Sequence, residues 1–252
     1  MVAAPEAAGT VEKAIDVLFH LHAEGAPSGV TAIGRALGMP KSSAHRLLAA
    51  LARRGLVERD ERARYRPGIG LVALGLGALE REPVVVAARP VLEDEAEDLG
   101  ETFFLVAARA GRLVVLDKAE GTGFLRAAPR VGSSVPPHAT AVGKLFLAFA
   151  PERLAEPEGP LERFTEHTLV DPAALGREVA LARERGFAEN REEWIPGLAV
   201  VAAPISSAGR LLGAIAVAAP APRLEALGRV QLARQTRAAA ARVAARLEGS
   251  GR

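Results

Sequence analysis

Between Val30 and Pro67 the chain reads VTAIGRALGMPKSSAHRLLAALARRGLVERDERARYRP, and this stretch constrains the fold more than any other. Ile33, Ala36 and Leu37 give the inner face of a short helix. Thr31 is placed to cap it, because its side-chain oxygen can take an orphan backbone N–H. Gly38 suits a left-handed stop, and Pro40 prevents the helix from continuing. A second helix follows, with Ser42 or Ser43 near its start and Leu47, Leu48 and Leu51 facing inward. Small Ala36 fits the place where two helices cross closely. Leu56 to Arg59 and Ala63 to Arg66 then read as short strands joined by Asp60-Glu61-Arg62. In length and order these are the elements of a winged helix-turn-helix.

Charge is concentrated in the same place. The 252 residues carry a formal net charge of only +2. From Thr31 to Gly68, however, Arg35, Lys41, Arg46, Arg53, Arg54, Arg59, Arg62, Arg64 and Arg66 are set against only Glu58, Asp60 and Glu61. A basic module on a slightly acidic body is the distribution that phosphate neutralisation requires, so double-stranded DNA is the expected partner. Lys41, Ser42, Ser43, His45 and Arg46 lie in the N-terminal half of the second helix, the end that enters a groove. The serine hydroxyls and the N–H groups at the helix start suit phosphates. His45 and Arg46 are long enough to reach base edges, the arginine a guanine O6/N7 pair. Arg62, Arg64 and Tyr65 are expected to meet the adjacent backbone or minor groove from the wing. Singly, each arginine is equally compatible with a solvated face; the cluster at this spacing favours DNA.

Residues 1 to 9 read as a small polar tail. Val11, Ile15 and Leu18 then mark a helix ending near Glu24-Gly25, and Gly25 to Gly29 reads as a turn. Beyond the wing, Ile69, Val72, Leu76 and Leu79, widened by Leu71 and Leu74, stripe a helix to Arg81. A helix apolar over so much of its surface needs more than one packing partner, which predicts a linker helix that also packs on a second copy. Pro83 and Pro90 bracket a connector, with Pro90 in the first turn of the next helix. That helix turns Leu92, Ala96 and Leu99 inward and the run Glu93 to Asp98 outward. Phe103 to Ala108 and Leu113 to Ala119 read as a hairpin around Arg109-Ala110-Gly111, and a similar unit recurs over 199–205 and 211–218. Helices are predicted over Thr140 to Phe149, over Pro172 to Arg185, and as one long element from Pro222 to Glu248. Antiparallel hairpins mixed with helices define an α+β fold.

Cysteine is absent, which excludes disulfides, thiolate metal sites and cysteine nucleophiles. MVAAPEAAGT lacks the basic start and apolar run of a signal peptide, and the most apolar stretches are too short to span a bilayer. A cytoplasmic protein with no membrane partner is expected. His20, His22, His45, His138 and His167 show no ligand spacing, so no metal and no cofactor are expected.

Three stretches make the chain resemble IclR-type transcriptional regulators, the isocitrate lyase regulator family. LGMPKSSAHRLLAALARRGLVER is similar to that family's recognition helix and wing, and VPPHATAVGKLFLAF to its effector-site loop and helix. FTEHTLVDPAALGREVALARERGFAENREEWIPGLAVVAAPI carries its late signature of glycine, paired glutamates and glycine. The likeness covers about residues 10 to 248. It implies a winged helix-turn-helix over 10–68, a linker helix and connector over 69–89, and an effector-binding domain of GAF-like fold over 90–248. It further implies a homodimer, or a tetramer built as a dimer of dimers, whose promoter binding a small molecule alters, often an organic acid.

The same resemblance assigns effector contacts. At Pro136 to Lys144 prolines stop and a helix begins, so N–H groups around Thr140, Ala141 and Val142 can receive a carboxylate; without the likeness an ordinary loop-to-helix junction is the simpler reading. Asn190 stands where relatives often carry aspartate. Val200, Ala216 and Ala218 stand where some place a cysteine and two serines. Those polar groups are gone here, which predicts a drier pocket and a bulkier, partly apolar acid. Trp194 is a candidate for the pocket mouth, and Glu192 and Glu193 for contacts to backbone or a nearby arginine. The rival reading is an enzyme acting on a small metabolite through His138, Asp117 and Ser133 or Ser134, but no nucleophile elbow, phosphate loop or metal cluster accompanies them. A winged-helix scaffold that binds only protein is disfavoured by the basic module.

Overall fold

A computed structural model of the chain describes residues 9–123 and 129–249. Most of the expected N-terminal tail therefore lies outside the described residues. The chain divides into two units, one up to Leu79 and one from Glu80.

The first unit contains α1 (Thr10–Glu24), β1 (Ser28–Gly29), α2 (Val30–Ala36), α3 (Lys41–Arg53), β2 (Val57–Arg59), β3 (Arg64–Pro67) and α4 (Ile69–Leu79). Val17 and Leu21 of α1 meet Ile33, Leu47, Leu48, Leu51, Val57 and Tyr65 in one apolar core. The α2–α3 turn is tight: Met39 N donates to the Gly34 carbonyl at 2.8 Å, and a β-carbon on Gly34 would lie 2.9 Å from the Met39 oxygen. Two local expectations are corrected. Gly29, not Thr31, is the N-cap of α2, leaving Thr31 exposed in its first turn. The presumed turn at 25–29 contains β1, which pairs antiparallel with β3 and makes the wing a three-stranded sheet of order β1-β3-β2.

Helix α4 is fixed to the wing. Glu58 Oε1 accepts from Ile69 N at 3.0 Å, and Gly70 N donates to the Gly55 carbonyl at 2.8 Å. β-Carbons on Gly68 and Gly70 would lie 2.3 and 2.8 Å from that carbonyl oxygen. No residue of α4 is buried, and Ile69, Val72, Leu74 and Leu76 are all at least half exposed.

The second unit contains α5 (Pro83–Leu99), β4 (Thr102–Arg109), β5 (Arg112–Ala119), β6 (Ser134–Val135), α6 (Ala141–Phe149), α7 (Pro172–Arg185), β7 (Ala188–Arg191), β8 (Leu198–Ser207), β9 (Arg210–Pro220), α8 (Ala221–Leu227) and α9 (Arg229–Gly249). The antiparallel sheet runs β6-β5-β4-β9-β8-β7. Alternation along the strands divides its side chains between two faces. Phe104, Val106, Val115, Val200, Ala202, Ala214, Ala216 and Ala218 form a core with Ala141, Val142, Leu145 and Phe146 of α6. Phe103, Leu105, Val201, Ile215 and Val217 alternate with these residues and are equally buried, and α5 and α9 pack against these strands.

Pro83, rather than Pro90, begins α5, and Pro90 lies inside it, so the boundary expected at residue 90 falls within a continuous helix. The missing proline N–H leaves the Val86 carbonyl without its helical donor. Val86 is 55% exposed, so water can reach that part of the helix. The single C-terminal helix expected from Pro222 is broken at Gly228, whose φ of 85° and ψ of 114° no helix accommodates.

Candidate DNA-reading face and effector cavity

Helix α3 buries Ala44, Leu47, Leu48 and Leu51, which turns Lys41, Ser42, His45 and Arg46 to solvent on one face, with Ser43 half-buried beside them. Among the described residues, Lys41, Arg46 and Arg62 have no acidic partner in reach. Arg64 differs. Its guanidinium holds Asp60 Oδ2 at 2.9 Å, while Asp60 Oδ1 accepts from the N–H groups of Arg62 and Arg64 at 3.0 and 2.8 Å. These contacts hold the Asp60 carboxyl below its ordinary range. Arg64 therefore fastens the wing turn from within, whereas Arg62 in the same turn has no acidic partner among the described residues. Tyr65 corrects an expectation: it is only 5% exposed and belongs to the core, with the Arg59 guanidinium 5.8 Å from its ring centre. Because β3 alternates, Tyr65 faces inward while Arg64 and Arg66 face out.

In the second unit Thr140 caps α6, its hydroxyl accepting from Gly143 N at 3.1 Å and donating to the Pro136 carbonyl at 2.8 Å. The Ala141 and Val142 N–H groups follow at the first two helical positions and have no partner among the described residues. Only glycine fits at 143, since a β-carbon there would lie 1.9 Å from the Pro137 oxygen. Register across β7, β8 and β9 places Asn190 opposite Val200, and Val200 opposite Ala218. Asn190 is 5% exposed and donates through Nδ2 to the Ala139 carbonyl at 3.0 Å; its Oδ1 is buried without a partner.

Thr140, Ala141, Val142, Asn190 and Val200 line one enclosed cavity together with Phe104, Pro129, Val135, Trp194 and Leu198. A water-sized sphere finds about 20 Å³ there, room for about one water molecule. Ala216 and Ala218, expected as contacts, lie in the adjoining core and do not line the cavity. Sequence reasoning missed Phe104, Val135 and Leu198, because only the sheet brings them to Asn190.

It also missed a buried ion pair. Lys144 on α6, its side chain 2% exposed, places Nζ 2.6 Å from Glu193 Oε1 and 2.9 Å from the Glu189 carbonyl, with Glu178 at 3.7 Å. Burial pushes the Glu193 carboxyl above its ordinary range, the Lys144 ammonium offsetting only part of that effect. A lysine inside the apolar run AVGKLFLAF was the available signal. Thr165 and Thr168 donate to the Glu192 and Glu193 carbonyls, and Glu192 itself accepts from Gly197 N at 2.9 Å, so the turn bearing Trp194 is held on several sides.

Three groups of the rival enzyme reading are separately engaged. His138 Nε2 donates to the Glu162 carbonyl at 2.8 Å, Asp117 holds Arg89, and Ser133 donates to the Arg130 carbonyl. Among the described residues no cluster of His, Asp or Glu suits a metal ion, and no helix is long and apolar enough to cross a membrane.

A helix-turn-helix with an exposed basic reading face, followed by a sheet domain enclosing a small polar-ended cavity, is the arrangement of a transcriptional regulator with a DNA-binding domain and a C-terminal ligand-binding domain. Residues 10–61 match the IclR helix-turn-helix domain, and residues 76–245 match the C-terminal domain of bacterial IclR transcriptional regulators. The chain belongs to the IclR family. It is 35% identical over 220 residues to the HTH-type transcriptional regulator BhcR of Paracoccus denitrificans, covering 85% of this chain and 78% of BhcR. It is 30% identical to the HTH-type transcriptional repressor AllR of Salmonella typhimurium, covering 88% and 83%. Among solved structures, an IclR transcriptional regulator from Silicibacter aligns with a TM-score of 0.78 at 30% identity, covering 95% of this chain and 96% of that one. The Thermotoga maritima IclR aligns at 0.72 and 28% identity, covering 93% and 98%.

Proposed function

We propose that this regulator binds promoter DNA through α3 and the wing, and that a small organic acid in the α6 cavity alters that binding. Lys41, Ser42, Ser43, His45 and Arg46 enter the major groove, and Arg62 meets the flanking backbone. The observation that carries this is the uncompensated basic face of α3 in a chain of nearly neutral charge. The reading part comprises residues 10–68 and continues into α4, to which the Gly55–Gly70 contact joins it; the effector-binding part begins with α5 rather than at residue 90.

The acid's carboxylate meets the Ala141 and Val142 N–H groups, where the helix end favours negative charge without a basic side chain. Its body meets Phe104, Val135, Trp194, Leu198 and Val200. The functional form is a homodimer or a dimer of dimers. Val11, Ile15 and Phe19 on α1 and Ile69, Val72, Leu74 and Leu76 on α4 are large apolar side chains left exposed, which supports a second copy as their cover. Paired recognition helices then read half-sites about 34–36 Å, or a multiple, apart.

The test is binding to genomic fragments selected with the full chain, followed by fluorescence anisotropy at several salt concentrations. Affinity is expected to fall with salt, with a log–log slope of about −0.9 per phosphate neutralised. Arg46→Ala is expected to relax sequence preference at one position and cost about 1–3 kcal/mol. A flat salt dependence would remove the DNA reading.

A further inference from the structure

The far end of α6 borders a groove that neither the DNA reading nor the effector reading uses. Leu147 of α6, Leu161 and Val170 of the segment between α6 and α7, and Leu175 and Val179 of α7 line it, each half-buried. The groove has a volume of about 750 Å³, within the range of sites that take small molecules. Pro172, Leu175, Gly176 and Val179 recur at helical spacing, so it follows one face of α7 for about 10 Å. The wall between α6 and α7 is fixed without a ligand. His138 Nε2 donates to the Glu162 carbonyl, and the Thr168 hydroxyl accepts from Phe164 N and Thr165 N at 3.0 and 2.8 Å. Thr165 and Thr168 in turn donate to the Glu192 and Glu193 carbonyls.

Two features point to an occupant. Gly176 stands mid-helix, where glycine lowers stability relative to alanine. A β-carbon there would meet nothing within 4 Å, and its φ is not left-handed, so neither packing nor backbone conformation requires the glycine. Its bare backbone keeps the groove open. The second feature is charge. Arg163 is the one charged side chain among the lining residues, and it has no acidic partner among the described residues.

We propose that this groove binds a medium-chain monocarboxylate, its alkyl chain along α7 over Gly176 and its carboxylate on the Arg163 guanidinium. Length, walls and charge each select that class. An extended medium-chain alkyl group matches the stretch of α7 that the groove follows. A dicarboxylate would bring a second charge against leucine and valine, a desolvation cost that no lining group offsets. An amine sets like charge against Arg163, and an alcohol leaves the guanidinium without an anion.

The full chain is titrated by calorimetry with butanoate, hexanoate, octanoate and octan-1-ol. One octanoate per chain is expected, with affinity rising about 2- to 4-fold per added methylene. Octan-1-ol is expected to bind about 2- to 5-fold more weakly than octanoate, and Arg163→Met to remove that gap. Gly176→Leu fills the groove from the helix. It is expected to weaken octanoate at least about 10-fold while the midpoint of thermal unfolding holds or rises, because α7 loses a glycine. Should that variant fail to fold, the ligand series and Arg163→Met still decide the matter. If Gly176→Leu binds octanoate as tightly as the parent, the ligand sits elsewhere and the groove assignment is wrong. If octan-1-ol matches octanoate on the parent chain, the carboxylate assignment is wrong. If octanoate does not bind, the proposal fails, and a changed oligomeric state of Gly176→Leu in analytical ultracentrifugation would then identify a second copy as the occupant. Each of these results leaves the α6 cavity reading untouched.

Discussion

Lys144→Met offers the sharpest test of how the effector cavity is held. Lys144 ties α6, the carbonyl of Glu189 beside Asn190, and the turn bearing Trp194, which are three of the cavity's walls. Removing the ammonium leaves the Glu193 carboxylate buried beside Glu178 with no cation. Breaking a buried pair from one side costs about 3–5 kcal/mol. At about 2–4 °C per kcal/mol for a unit of this size, thermal unfolding should shift down by about 6–20 °C. The loss should depend on pH. Desolvation already raises the Glu193 carboxyl from its ordinary 4.5, and losing Lys144 removes the largest opposing influence. The folded state then holds a proton that the unfolded state releases, so stability falls as pH rises above 4.5, by at most about 1.4 kcal/mol per unit, and levels off above the folded value. The deficit of Lys144→Met relative to the parent should therefore be small near pH 4.5 and largest near pH 8. Replacing both partners, Lys144→Met with Glu193→Leu, should recover much of it, because no charge is then stranded. A deficit under about 1 kcal/mol at pH 8, or one that shrinks as pH rises, would refute this account.

Further outcomes follow from the two sites. Gly143→Ala should cost at least about 3 kcal/mol and abolish effector response, measured by chemical denaturation and ligand titration, because the Pro137 carbonyl cannot yield to a β-carbon 1.9 Å away. Arg62→Ala should weaken binding to all DNA sequences alike and lower the salt slope by about 1, whereas Arg64→Ala should leave that slope nearly unchanged and instead loosen the wing, visible as faster amide exchange at Arg62 and Arg64. Gly70→Ala should destabilise the first unit by about 1–3 kcal/mol on thermal unfolding, since the new carbon meets the backbone carbonyl that ties α4 to the end of α3.

The helix-turn-helix was legible because its signals are local. Leucines at helical spacing, a glycine and proline between the helices, and a basic run on one face are all read within a few turns of chain. The wing was legible in outline and wrong at Tyr65. That ring turns inward because β1, two residues too short to announce itself, pairs with β3 and fixes which face is core. The cavity was half legible. A capped helix start after two prolines marks Ala141 and Val142, but Phe104, Val135 and Leu198 reach Asn190 only through strand order. Ala216 and Ala218, carried over by likeness, fell behind the cavity wall.

The sequence by itself determined the α+β character and the basic reading helix, since periodicity, breakers and charge act over neighbouring residues, while the family came through the likeness of three stretches. Tertiary structure decided the rest. Pairing across β7, β8 and β9 set Asn190 opposite Val200, and the Ala139 carbonyl ahead of α6 took its Nδ2. Lys144 and Glu193, far apart in the chain, became a pair because burial tolerates a charge only beside its opposite.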